Sequence, residues 1–106
     1  MTKVIYREYY DRKLIIIEGH SGYDVPGNDI VCAGVSALAC ALINCLYDES
    51  SAERIRLLRD VVHSGYVCFE VESCDFAKER INGIFDAFVT GFLMLSEHYP
   101  QHVLFE

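Results

Sequence analysis

From Ile30 to Leu46 the chain is apolar apart from Ser36 and Asn44. So apolar a run must be shielded from water by lipid or by protein. It sits at the short limit of a membrane-spanning helix and is flanked by Asn28, Asp29, Asp48 and Glu49, with no Lys or Arg beside it. A helix inside a folded domain is therefore expected, reaching Tyr47 and apolar almost all round, with Asn28 or Asp29 as its N-cap. Ala33, Ala37 and Ala41 recur every four residues and form a small-residue stripe that suits close packing.

The strongest periodic signal lies further on. Ala77, Ile81, Ile84, Phe85, Phe88, Phe92 and Leu95 recur at helical spacing, with Ser73 or Asp75 available as a cap and Pro100 as a stop. Gly83, Ala87 and Gly91 line a second stripe of this helix. Glycine costs about 1 kcal/mol relative to alanine inside a helix unless packing offsets it, so tight contact is expected there, with the first helix as a partner.

Between and around these helices the pattern is that of strands. Residues 3 to 10 are β-branched and aromatic, and Lys13 to Gly19 holds the unbroken run Leu14-Ile15-Ile16-Ile17, which predicts an interior strand covered on both faces. Asp11-Arg12 predicts a tight connection between the two. A polar connection is expected over Ser50 to Ala52. Glu53 to Asp60 fits both alternation and a helical period and is read as a strand. Val61 to Glu72 alternates clearly, with Val67, Phe69 and Val71 on one face. His102 to Phe105 adds a short last strand. The order is β-β-α-β-β-α with a C-terminal strand, an α+β fold with a sheet packed on two helices, the first largely buried.

At 106 residues, 52% hydrophobic and 24% charged, this is the composition of one globular domain over residues 1–106. The net charge of −7 opposes the phosphate backbone of nucleic acids and favours a basic partner. Five cysteines without a CxxC pair, and no charged-then-apolar signal at the start, point to free thiols in the cytoplasm and to no membrane association. No Cys/His spacing fits a metal site and no glycine-rich phosphate loop is present, so neither metal nor cofactor is expected.

The chemistry concentrates in residues 19–36. His20 closes the second strand, and a loop with Gly22, Pro26 and Gly27 leads to Cys32 in the first turn of the helix. Helix-start N–H dipoles lower a thiol pKa and can hold an oxyanion. A small buried cysteine is the ordinary alternative, and by position alone the two readings are evenly matched. Cys40, Cys45, Cys68 and Cys74 lack such a setting. His20 is the candidate base, with His63 as its rival. His63 heads a second His-Ser-Gly-Tyr that looks coincidental and reads as a strand-edge residue, while His98 and His102 fall in a polar tail. Asp29 serves first as a cap and second as an orienter of His20. Ser36, one turn beyond Cys32, either lines the site or bonds a helix carbonyl. Tyr23 either contacts substrate or covers the loop.

Gly19-His20-Ser21-Gly22-Tyr23 and Asp29-Ile30-Val31-Cys32-Ala33-Gly34-Val35-Ser36 resemble the motifs of the Prp-type ribosomal-processing cysteine proteases. Gly34 stands where the family more often has alanine. The resemblance implies a cytoplasmic, homodimeric endopeptidase that removes the N-terminal extension of bacterial large-subunit ribosomal protein twenty-seven, cutting after a hydrophobic, phenylalanine-containing motif. Cys32 would be the nucleophile and His20 the base, with Gly22, Tyr23, Asp29 and Ser36 in support and no cofactor. It also implies a loop after the histidine that substrate orders. Two other functions fit the residues: a non-catalytic module binding basic peptides, and a thiol redox sensor in which Cys74 resolves an oxidised Cys32.

Overall fold

The computed structural model describes residues 1–25 and 29–106. Pro26, Gly27 and Asn28, and with them part of the expected loop and one of its candidate caps, lie outside the described residues. Strands β1 (Thr2–Tyr9) and β2 (Arg12–Glu18) are followed by helix α1 (Ile30–Ser51). Strands β3 (Ile55–His63) and β4 (Tyr66–Ser73), helix α2 (Lys78–His98) and strand β5 (Val103–Phe105) complete the chain. The sheet order is β3-β4-β2-β1-β5, with β5 parallel to β1 and the other neighbours antiparallel. This is the α+β fold expected.

Both helices are served by one set of alternating positions. Val4, Ile15, Ile17, Phe69 and Val71 are buried together with Val31, Val35, Leu42 and Leu46 of α1 and Ile81, Phe85 and Phe92 of α2. Strand β2 is interior in sheet order, but among the described residues the expected cover on both its faces is not present: the helices pack on one face. Leu14 and Ile16 point away from the helices, where Ile5, Ile16, Cys68 and Val61 form a cross-strand row. Ion pairs Arg59–Glu70 (3.5 Å) and Arg56–Glu72 (3.1 Å) lie on that same face.

Burial of α1 is likewise narrower than its composition suggests. It is confined to one stripe through Val31, Val35, Ala39, Leu42, Leu46 and Glu49, while Ala33, Ala37 and Ala41 are exposed. The helix also runs four residues past Tyr47 to Ser51, because buried Glu49 accepts from Arg80 (2.7 Å) and Arg54 (3.1 Å) and so keeps a polar turn in the fold. The two helices do meet at glycines. A Cβ on Gly91 would lie 3.0 Å from Leu38 of α1 and one on Gly34 would lie 3.5 Å from Leu95 of α2, whereas one on Gly83 would meet nothing within 4 Å. Neither Ser73 nor Asp75 caps α2. Ser73 ends β4, Asp75 pairs with Lys78 (3.4 Å), and a short 3-10 turn over Asp75–Ala77 leads into the helix without a side-chain cap.

The break between β3 and β4 falls at Ser64-Gly65, not at Asp60-Val61. Gly65 has φ 74°, a left-handed conformation that glycine adopts freely, and closes a two-residue hairpin between His63 and Tyr66. The register shifts between Leu57 and Arg59, and this bulge at Leu58 accounts for the mixed periodicity of residues 53–60.

Candidate active site

Strand β2 is followed by Gly19, where φ is 88° and a side chain would run into the backbone of Met1. Its N–H donates to Gly65 O (2.8 Å), tying the end of β2 to the β3–β4 turn. This bend sets His20 against that turn: Nε2 lies 3.0 Å from where a Cβ on Gly65 would be. The second His-Ser-Gly-Tyr thus forms the turn on which His20 rests.

Asp29 caps α1. Its Oδ1 accepts from Cys32 N (2.8 Å), and its Oδ2 accepts from Ser21 Oγ (2.5 Å), Tyr23 N (3.0 Å) and Asp24 N (3.3 Å). Desolvation works against the charge, but the bonds from Ser21, Cys32 and Asp24 outweigh it and hold the carboxyl well below the usual carboxylate range. None of these bonds reaches His20. Asp29 organises the thiol turn and the loop instead.

Ser21 is buried, and its N–H and Oγ both lie 3.2 Å from Cys32 Sγ. Its carbonyl is 3.0 Å from His102 Nδ1. A carbonyl only accepts, so that imidazole nitrogen carries its hydrogen. The His102 carbonyl accepts from Thr2 N (2.8 Å), and the Tyr23 ring meets the His102 ring edge-on at 5.3 Å and the Tyr99 ring edge-on at 5.5 Å. His102, read from sequence as part of a polar tail, therefore braces the loop. Ser21 does not stand out in the sequence as a site residue. The signal was present in its place next to His20, but only the fold reveals its contact with the sulfur.

Cys32 sits between two clefts. One, of about 290 Å³, runs between α1 and the β3–β4 hairpin and is lined by Ile17, His20, Val35, Ile43, His63 and Val67 among others. The other, of about 610 Å³, is lined by Gly22, Asp24, Asp29 and Ala33. His20, Cys32 and Ser36 line both. Ser36 is exposed and Gly22 adopts φ 67°, while Tyr23 packs on His102 and Tyr99. Among the described residues no hydrogen bond joins His20 to Cys32, and no group of three or more His, Cys, Asp and Glu is placed to hold a metal. Cys74 lies at the far end of β4 from the hairpin, nine residues of chain or roughly 30 Å from Gly65, and its thiol donates to Glu53 O (3.4 Å). It is out of reach of Cys32.

Three solved structures share this fold along their length. The essential ribosomal processing protease Prp from S. aureus with a covalently linked product peptide is 21% identical, with a TM-score of 0.77 over 100% of this chain and 98% of that one. The same protease with a substrate peptide is 20% identical, with a TM-score of 0.70 and coverage of 100% and 98%. SMU.848 from Streptococcus mutans is 28% identical, with a TM-score of 0.69 and coverage of 100% and 92%. No curated protein matches the chain. The family described as cysteine protease Prp matches residues 1–104. Nearly the whole chain thus carries the family pattern, and this protein belongs to the Prp family of cysteine proteases.

Proposed function

We propose that this protein is a cytoplasmic, homodimeric endopeptidase that trims the N-terminal extension of bacterial large-subunit ribosomal protein twenty-seven, with Cys32 as nucleophile and His20 as general base. The observation that carries the reading is that His20 and Cys32, twelve residues apart in sequence, line the same two clefts. Their neighbours Ile17, Val35, Ile43 and Val67 give one cleft apolar walls that suit a phenylalanine-containing motif before the scissile bond. The ribosomal processing protease of S. aureus, captured with substrate and product peptides, supports the substrate class. A net charge of −7 suits attraction to a basic ribosomal protein.

In this mechanism His20 takes the proton of Cys32, and the thiolate adds to the carbonyl carbon. Catalytic hydrogen bonds commonly tighten only when substrate binds, so the unbonded resting pair is compatible with this step. The Cys32 N–H is occupied by Asp29 Oδ1 and the Ala33 N–H by Asp29 O (3.0 Å), which leaves the Ser21 N–H, 3.2 Å from the sulfur, as the better-placed donor for the oxyanion. Collapse of the tetrahedral adduct expels the amine, which receives the proton from His20. Water, activated by the same imidazole, then hydrolyses the thioester and restores the thiol.

The test is cleavage of a peptide spanning the extension and its junction. Cys32→Ala is expected to abolish it and His20→Ala to slow it roughly 10²–10⁴-fold, while His63→Ala and Cys74→Ala retain it. Binding of the peptide without cleavage would overturn the reading in favour of a recognition module.

A further inference from the structure

The hydroxyl of Ser21 has one hydrogen to give and two lone pairs, one of which accepts from Tyr23 N (3.4 Å). It lies 2.5 Å from Asp29 Oδ2 and 3.2 Å from Cys32 Sγ. A carboxylate accepts only, and Asp29 is held in that form, so the shorter contact takes the hydroxyl hydrogen. What remains on Oγ facing the sulfur is a lone pair. The partner that can satisfy a lone pair is the thiol's own hydrogen, so the chain reads S–H to Oγ, then O–H to carboxylate. Ser21 is only 2% exposed, so its hydroxyl finds its partners within the protein. The nearby His102 fixes the Ser21 carbonyl, and Asp29 fixes both flanks of the loop, so the hydroxyl is not free to swing away.

We propose that Ser21 is a positioning residue for Cys32: with its hydroxyl hydrogen committed to Asp29, it accepts the thiol hydrogen and holds Cys32 protonated in one orientation until His20 removes that hydrogen. The inference rests on the assignment of Cys32 as nucleophile, but the state of its thiol can be read without substrate. On deprotonation the proton passes from Sγ to the His20 imidazole, leaving a thiolate whose remaining donor is the Ser21 N–H. The Oγ lone pair then faces a negative sulfur, which favours the neutral thiol. The other titratable groups around the two clefts are His20, Cys40, His63, Tyr66, Asp24 and Asp29, with His102 behind Ser21. A Ser21→Ala substitution leaves all of them, and the backbone N–H, in place.

The experiment is the rate of iodoacetamide alkylation at Cys32 as a function of pH, followed by peptide mass spectrometry so that the other four cysteines do not contribute. Ser21→Ala is expected to move the midpoint down by roughly 0.5–1 pH unit, making alkylation near pH 6 several-fold faster, as expected for loss of one modest hydrogen bond to the neutral form. Ser21→Thr, which keeps the hydroxyl, should retain the wild-type midpoint, and it supplies the comparison if the alanine variant folds poorly. A midpoint that rises in Ser21→Ala means that the hydroxyl donates to the sulfur and overturns the proposal. An unchanged midpoint overturns it too. If cleavage of the ribosomal peptide fails while the midpoint shifts downward, the protease assignment falls and the role of Ser21 stands. If cleavage holds, the acid limb of kcat/KM in Ser21→Ala shifts to lower pH by the same amount.

Discussion

Each end of α1 is organised by one carboxylate, and the two carboxylates serve opposite ends. Asp29 caps the N-terminus, where helix N–H groups and the macrodipole favour an anion. Its four partners are neutral donors drawn from the thiol turn and the loop that precedes it: Cys32 N, Ser21 Oγ, Tyr23 N and Asp24 N. Glu49 stands in the last turns, where the dipole opposes an anion, and it is only 3% exposed. Burial works against its charge, yet the bonds from Arg80 and then Arg54 prevail and lower its pKa. Those arginines come from α2 and from the lead-in to β3, so Glu49 cross-links three parts of the fold. A carboxylate satisfied by neutral donors orients small groups around a reactive atom. One satisfied by two cations clamps secondary structure.

The clamp should give the largest stability effect. Glu49→Gln is expected to cost about 2–3 kcal/mol, lowering Tm by on the order of 10 °C in thermal circular dichroism, because charge-assisted bonds at a buried site are lost. Alkylation of Cys32 and cleavage per folded molecule should not change. Since the folded pKa of Glu49 is depressed, its contribution is complete above the unfolded value of about 4.3 and is lost as pH falls through the folded one. The difference in urea midpoint between wild type and Glu49→Gln should therefore narrow from pH 6 to pH 3. A gap that stays constant over that range would show that charge is not what Glu49 contributes.

At the other end the readouts trade places. Asn caps helices about as well as Asp, so Asp29→Asn should lower Tm only slightly, chiefly through the lost charge–dipole interaction. The thiol should respond far more. Removing a negative charge beside Cys32 favours the thiolate, so alkylation near pH 6 is expected to rise several-fold, in the same direction as Ser21→Ala. Were Asp29→Asn to behave like Glu49→Gln, losing stability with no change at the sulfur, the distinction between the two ends would collapse.

These two ends also differ in how far the sequence disclosed them. Asp29 as cap and Cys32 in the first turn follow from local rules that hold wherever a helix begins, and the alternation of Val67, Phe69 and Val71 follows from the pleat. In the sequence Glu49 is only a charged flank of the apolar run, since its partners Arg54 and Arg80 lie 5 and 31 residues away and only tertiary structure unites them. Ser21 and His102 are 81 residues apart and were separated for the same reason. The β3–β4 boundary is hidden in the sequence because the bulge at Leu58 changes the phase of alternation, and the turn at Ser64-Gly65 lies inside what looks like a chance echo of His20 to Tyr23. The run Leu14 to Ile17 identified a central strand correctly but said nothing about which layers cover it. Half-burial by neighbouring side chains on an open sheet face gives the same apolar pattern as a second helical layer.

The smallest effect tests the middle of α1, which joins the two ends. Gly34 has no positive φ, and a Cβ there would sit 3.5 and 3.8 Å from the Leu95 methyls of α2, ordinary van der Waals contact. Gly34→Ala should therefore keep most of the roughly 0.5–1 kcal/mol that alanine gains over glycine in a helix interior, raising Tm by a few degrees. Gly91→Ala would bring its Cβ to 3.0 and 3.1 Å from the Leu38 methyls, so Leu38 must give way and the gain should be largely cancelled. Because the added methyl at Gly34 touches neither carboxylate, both the alkylation profile of Cys32 and the pH-dependent gap at Glu49 should remain as they are in the wild type. A fall in Tm for Gly34→Ala would mean that α1 and α2 approach more closely in solution than the Leu95 contact allows, and a shifted alkylation profile would mean that strain in the middle of the helix reaches its N-terminal turn.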